Sequence, residues 1–117
     1  MNVTAREPEY LHGIVLFNQG RFFDAHEVLE DVWRAAPHDE KKIWQGLVQV
    51  AVALHHHSTG NSVGMRSVLL RAMKNLAGHP RNFHGVQVPR LLTSLTAWLE
   101  AFDNDRPLPS LPQIDVT

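Results

Sequence analysis

The chain has 117 residues, 44% hydrophobic and 20% charged, with a formal net charge of −1 and no cysteine. This describes one domain with enough apolar material for a core. The near-neutral charge gives no drive toward phosphate backbones, so nucleic acid is not an expected partner. The lack of thiols excludes disulfides, cysteine nucleophiles and Cys-ligated zinc or iron–sulfur centres.

The sequence predicts an all-α fold: a compact bundle of about five helices with a central apolar helix and a Pro-rich C-terminal strap. It forms a single domain over 1–117, with a core at 8–102 and an extended tail at 103–117. The start, MNVTAREPEY, lacks the apolar segment of a secretory signal. Pro8 suits the first turn of a first helix, in which Tyr10, Leu11, Ile14, Val15 and Phe17 recur at helical spacing before Gly20. A second helix runs from about Phe22 to Ala35, with Ala25, Leu29, Val32 and Ala36 as its core stripe and Pro37 as its stop. Asp39 is a good N-cap for a third helix, which Gly60-Asn61 closes. Ser62 can cap a fourth helix with the stripe Met65, Leu69, Ala72, Met73 and Leu76, ended by Gly78 and Pro80. Residues His79 to Val88 read as a loop. Pro89 opens a fifth helix carrying Leu91, Leu95, Trp98, Leu99 and Phe102 on one face. Pro107, Pro109 and Pro112 bar a long helix in the tail, whose Leu108, Leu111 and Ile114 suggest a strap over the bundle. No segment reads as a strand.

The third helix is the expected centre. From Ile43 to Leu54 it has no charged residue, with Ile43, Leu47, Val50 and Leu54 on one face and Trp44, Val48 and Ala51 widening it. A helix so apolar around its circumference is normally surrounded by others. Leu47 to Leu54, interrupted by Gln49, is still too short to span a bilayer. A cytoplasmic protein with no membrane partner is expected.

The chemistry concentrates on two stripes. On the second helix His26, Glu30 and Trp33 share a sector of about 60°, bordered by Phe22 and Phe23. There His26 and Glu30 can share a charge-assisted hydrogen bond. On the third helix Gln45, Gln49 and His56 fall on a stripe about 40° wide. If the stripes meet, they make an interior cluster of two imidazoles, carboxylate and amides. That composition suits a divalent metal such as zinc, held by His26, Glu30 and His56, or a small polar ligand. It also suits a structural network that fixes helix docking, the reading the composition favours, and less readily hydrolase-type acid–base or metal-assisted catalysis. The run His55-His56-His57 cannot converge on one ion, because neighbouring helical residues point about 100° apart. Glu9-x-x-His12 occurs once where a di-iron bundle needs it twice. His26-Glu27 lacks the second His of a zincin.

Two resemblances follow. From Gly13 to Pro37 the chain resembles one tetratricopeptide repeat, with Gly13, Leu16, Gly20, Phe22, Ala25 and Pro37 at its small, aromatic and proline positions. This implies two closely packed antiparallel helices and a possible protein partner. Gly60 follows Gly20 by 40 residues, against about 34 in that repeat. The segments FNQGRFFDAHEVLEDVW (Phe17 to Trp33), WQGLVQVAVALHH (Trp44 to His56) and GNSVG (Gly60 to Gly64) resemble the helical family known as domain of unknown function 309. The likeness covers about Leu11 to Leu76. It implies an all-helical fold and family positions at His26, Glu27, Glu30, Trp33, Gln45, Gln49, His56 and Asn61, the candidate ligand-binding residues, and it implies no assigned activity.

Self-association is a further expectation. Met65, Leu69, Met73, Leu91, Trp98, Phe102, Tyr10 and Phe17 are more apolar surface than one small bundle is expected to cover. A homodimer through the first helix or the fourth and fifth is therefore predicted.

Overall fold

A computed structural model of the chain describes residues 8–78 and 82–117, the side chain of Asn82 excepted. The first seven residues and the Pro80 stop lie outside the described residues. Five helices are present among them: α1 (Glu9–Asn18), α2 (Phe22–Ala35), α3 (Lys41–Ser58), α4 (Ser62–Leu76) and α5 (Val88–Asp103). No described helix is long and apolar enough to cross a membrane.

Helices α1 to α4 form two helical hairpins that pack in sequence order, α1 on α2, α2 on α3 and α3 on α4. Both hairpin corners use the same device. Gly20 and Gly60 sit at φ +81°, a conformation that side chains disfavour. There the amide of Arg21 donates to the Leu16 carbonyl and that of Asn61 to the His56 carbonyl, closing Schellman turns. Two other glycines let helices approach closely. A Cβ on Gly13 would lie 2.9 Å from Leu29 Cδ2, and one on Gly46 would lie 2.8 Å from Leu76 Cγ. The hairpins are unequal, with 18 residues in α3 against 10 in α1. This is the physical origin of the 40-residue glycine spacing.

α3 is the centre, as its composition predicts: Ile43, Trp44, Leu47, Val48, Val50, Ala51 and Leu54 are all buried. Three local details depart from the sequence reading. Asp39 does not cap α3; His38–Glu40 form a 3-10 turn and the helix starts at Lys41. Asn61, not Ser62, caps α4, accepting from the Gly64 amide at 2.9 Å. The stretch read as a loop contains a minimal hairpin, β1 (Asn82–Phe83) with β2 (Val86–Gln87). Its turn residues His84 and Gly85 both have positive φ, as a type I′ turn requires.

The tail does lie over the bundle. Ile114 is 1% exposed, and Asn18 holds its backbone from both sides, donating to its carbonyl at 2.9 Å and accepting from its amide at 2.8 Å. Val116 then bridges to Val86, while the amides of Gln87 and Thr117 donate to the carbonyls of Asp115 and Gly85. The tail therefore ends as a third edge on the hairpin. Leu108 and Leu111 remain half-exposed, so the strap is anchored by one of its three predicted apolar residues. Much of the apolar surface behind the dimer expectation lies within one chain: Phe17, Met65, Leu69, Leu91 and Trp98 are buried, and Tyr10, Met73 and Phe102 are partly buried.

Candidate functional site

The two polar stripes resolve into separate pairings. His26 Nδ1 lies 3.1 Å from the Phe23 carbonyl of its own helix. Glu30 pairs with Arg34 at 3.3 Å. Trp33 lies under the Lys41 ammonium, whose Nζ also takes the Trp33 and Arg34 carbonyls at 2.6 and 2.7 Å. That lysine caps the C-terminus of α2 and fixes the corner into α3. Gln49 turns to α4 and accepts from Asn75 at 2.8 Å. Gln45 is half-buried and Glu27 exposed. The three consecutive histidines diverge as helical geometry requires. His55 packs on Phe23, His56 Nδ1 lies 3.4 Å from Asn61 Nδ2, and His57 packs edge-on against Trp98. Where α2 and α3 come together at this end, His26 and His55, the latter outside the α3 stripe, flank Phe23 with centroids at 5.4 Å each. Among the described residues no group of three or more His, Cys, Asp or Glu is placed to hold a metal ion.

The GNSVG segment has a local explanation. Asn61 Oδ1 caps α4, and a Cβ on Gly64 would come within 2.6 Å of Asn61 Nδ2. The glycine therefore makes room for the capping amide.

A different constellation forms at the corner between α2 and α3. Lys41 fixes that corner, which brings Glu40 into reach of two other elements. Glu40 Oε1 accepts from Trp44 Nε1 at 3.1 Å, one helical turn on, and pairs with His84 Nε2 at 3.1 Å, from the hairpin tip. Tyr10, in the first turns of α1, donates its hydroxyl to the His84 carbonyl at 2.9 Å. The rings support one another: Trp44 packs against Tyr10 at 5.4 Å and against Phe83 at 5.0 Å, and stacks on His84 at 5.8 Å. Together with Glu9, Val32, Ala35, Ala36 and Pro37 these residues line a recess of about 300 Å³, at the lower end of small-ligand sites. Glu40 keeps its second oxygen, Oε2, without a hydrogen-bond partner among the described residues.

Half of this site was findable in the sequence. Glu40, the residue just before α3, and Trp44 in its first turn are four residues apart, a spacing that lets an indole N–H reach a carboxylate. His84 is 44 residues away and is presented by a positive-φ turn inside a stretch read as loop, so no local pattern linked it to Glu40.

A larger hollow, about 720 Å³, lies between α5 and the tail. Its polar groups are engaged internally. The Thr93 and Thr96 hydroxyls donate to the Pro89 and Leu92 carbonyls, and Glu100 pairs with Arg106. Elsewhere, Arg66 on α4 forks onto Asp103 of α5 at 2.9 and 3.0 Å. This hydrogen bond and charge hold the Asp103 carboxyl below its usual range.

The family described as "Domain of unknown function (DUF309)" matches residues 10–68. The chain belongs to that family. An uncharacterized protein of Aquifex aeolicus (strain VF5) is 33% identical over 112 residues, covering 94% of this chain and 32% of the relative. The uncharacterized protein YpuF of Bacillus subtilis (strain 168) is 34% identical over 74 residues, covering 62% of this chain and 42% of the relative. The chain thus spans about a third and two fifths of these curated relatives. The DUF309 segment contains Tyr10, Glu40 and Trp44 of the recess, whereas His84 and the tail that holds its hairpin lie beyond it.

Proposed function

We propose that this DUF309 chain is a small-molecule-binding domain whose site is the recess of Tyr10, Glu40, Trp44 and His84. The observation that carries the reading is a carboxylate–imidazole pair set beside an aromatic wall in a concave space. Binding sites combine a mostly apolar hollow with a few convergent polar groups, and this corner has that composition. The candidate residues His26, Glu30, Gln49 and Asn61 make pairings within α2, between α3 and α4, or at the α4 cap, which leaves them a supporting role in this reading. Trp44 provides the assay, because its indole N–H is bonded to Glu40 and reports on the recess. In nitrogen-15 spectra the indole signals of Trp33, Trp44 and Trp98 are assigned by Trp→Phe variants. A library of small organic cations, anions and neutral compounds is then screened. The reading expects hits that move Trp44 and leave Trp98 still. Hits that all map to the α5 hollow or to the Phe23 surface would overturn it.

A second reading, a helical-hairpin interaction module, draws on Phe23. This ring is 50% exposed between two imidazoles, and exposed aromatics often anchor interfaces. It expects that Phe23→Ser removes association with a partner chain while the Trp44 response to small molecules is unchanged.

A further inference from the structure

We infer that the recess takes a protonated aliphatic amine, with the ammonium at Glu40 Oε2 and the alkyl body against Tyr10, Val32, Ala36 and Pro37. The inference rests on the recess being the ligand site and adds the class of ligand. Among the described residues the lining carries two carboxylates, Glu9 and Glu40, and no lysine or arginine. Its one imidazole is already committed to Glu40 Oε1. An anion would meet like charge, with no lysine or arginine among the described lining residues to receive it. A cation meets two acceptors.

Glu40 is the more telling of the two. Its side chain is 27% exposed, and both protein donors that reach it, Trp44 Nε1 and His84 Nε2, use the same oxygen. The other oxygen is left with lone pairs to fill. An N–H donor with a positive charge makes the stronger hydrogen bond there. Glu9, with no ion pair or hydrogen bond among the described residues, stands at the mouth and adds attraction without geometry. The Tyr10 ring beside the carboxylates favours a cation again, through its negative face. The remaining walls, from Val32, Ala35, Ala36 and Pro37, are aliphatic, which suits a short alkyl chain and not a second polar end. Val32 and Ala36 are only half-buried, so an alkyl chain laid on them removes further apolar surface from water.

The test uses three probes of one shape on the full chain: n-butylammonium, butan-1-ol and butanoate, each titrated while the Trp44 indole signal is followed. The expected result is a saturable shift with n-butylammonium and affinities at least about tenfold weaker for the other two, which corresponds to about 1.4 kcal/mol. Glu40→Gln keeps an oxygen for Trp44 Nε1 and the shape of the side chain, and it should weaken n-butylammonium by a similar factor without moving the thermal midpoint. Glu9→Gln should weaken it by less, and raised salt should reduce that smaller contribution first. Glu30→Gln, at the Arg34 pair, should change nothing. Equal binding of the amine and the alcohol, with no effect of Glu40→Gln, would overturn the amine assignment and leave the recess standing as a site. No response of Trp44 to any of the three, while other library compounds do move it, would likewise refute the amine alone. Silence of Trp44 toward every compound removes both the amine and the site.

Discussion

Ile114→Ala tests the connection from tail to site. Ile114 is buried while its neighbours in the strap, Leu108 and Leu111, are 40% and 41% exposed. The substitution removes three buried carbons, and at about 0.8 kcal/mol per buried CH₂ the transfer loss is about 2.5 kcal/mol. A rigid cavity would bring the cost to about 3–5 kcal/mol. The tail is a chain end, however, and it can lift off instead of enclosing a void. Lifting sacrifices the two Asn18 bonds and the edge that residues 115–117 add to the hairpin. We therefore expect about 2–3 kcal/mol in urea denaturation, and for a domain of this size a fall of roughly 10 °C in thermal midpoint. Leu111→Ala should lose less than about 1 kcal/mol, since much of that side chain is already in water. Hydrogen exchange completes the assay. In Ile114→Ala the amides of Gln87 and Thr117, bonded across the tail–hairpin edge, should lose protection while those of α3 keep it. Equal effects of Ile114→Ala and Leu111→Ala, with unchanged protection at Gln87, would refute the anchoring role and the route by which the tail holds His84 against Glu40.

Other outcomes follow from single contacts. Asn61→Ala should cost about 1 kcal/mol in chemical denaturation through loss of the α4 cap, and Asn61→Asp should retain most of it. Gly46→Ala places a Cβ against Leu76; overpacking of about 1–3 kcal/mol should exceed the gain of about 1 kcal/mol in helix propensity, giving a net loss in melting experiments. The Asp103 carboxyl is held low in the folded chain, so its contribution is present above the unfolded-state value and disappears as pH falls through the lowered folded-state value. The difference in thermal midpoint between wild type and Asp103→Asn should therefore shrink on acidification below the ordinary carboxylate range. With Phe17, Met65, Leu69, Leu91 and Trp98 buried within the chain, light scattering at micromolar concentration is expected to give the single-chain mass of 13.2 kDa.

Much of the fold was legible because its determinants are local. Gly20 and Gly60 mark hairpin corners by the φ they adopt, and the uncharged run from Ile43 to Leu54 identifies the central helix. Cap choices at the same boundaries were harder, since Asp39, Glu40, Asn61 and Ser62 are all plausible cap-region residues and the geometry of the preceding turn decides among them. The candidate site was less legible. Helical-wheel reasoning grouped His26 with Glu30, and Gln49 with His56, but a wheel does not say which neighbour each stripe faces. Gln49 faces α4, and Asn61 serves the end of α4. The recess depends on side chains far apart in sequence, Tyr10, Glu40 and His84, brought together by the Lys41 corner and by a hairpin that the tail completes.

Crystallographic fragment screening of the full chain decides whether ligands bind at this corner. Fragments are expected to seat between Tyr10 and Glu40, with a donor on Glu40 Oε2 and an apolar portion on Val32 and Pro37. Fragments that instead collect between α5 and the tail, or around Phe23, while the Glu40 corner stays empty, would contradict this expectation.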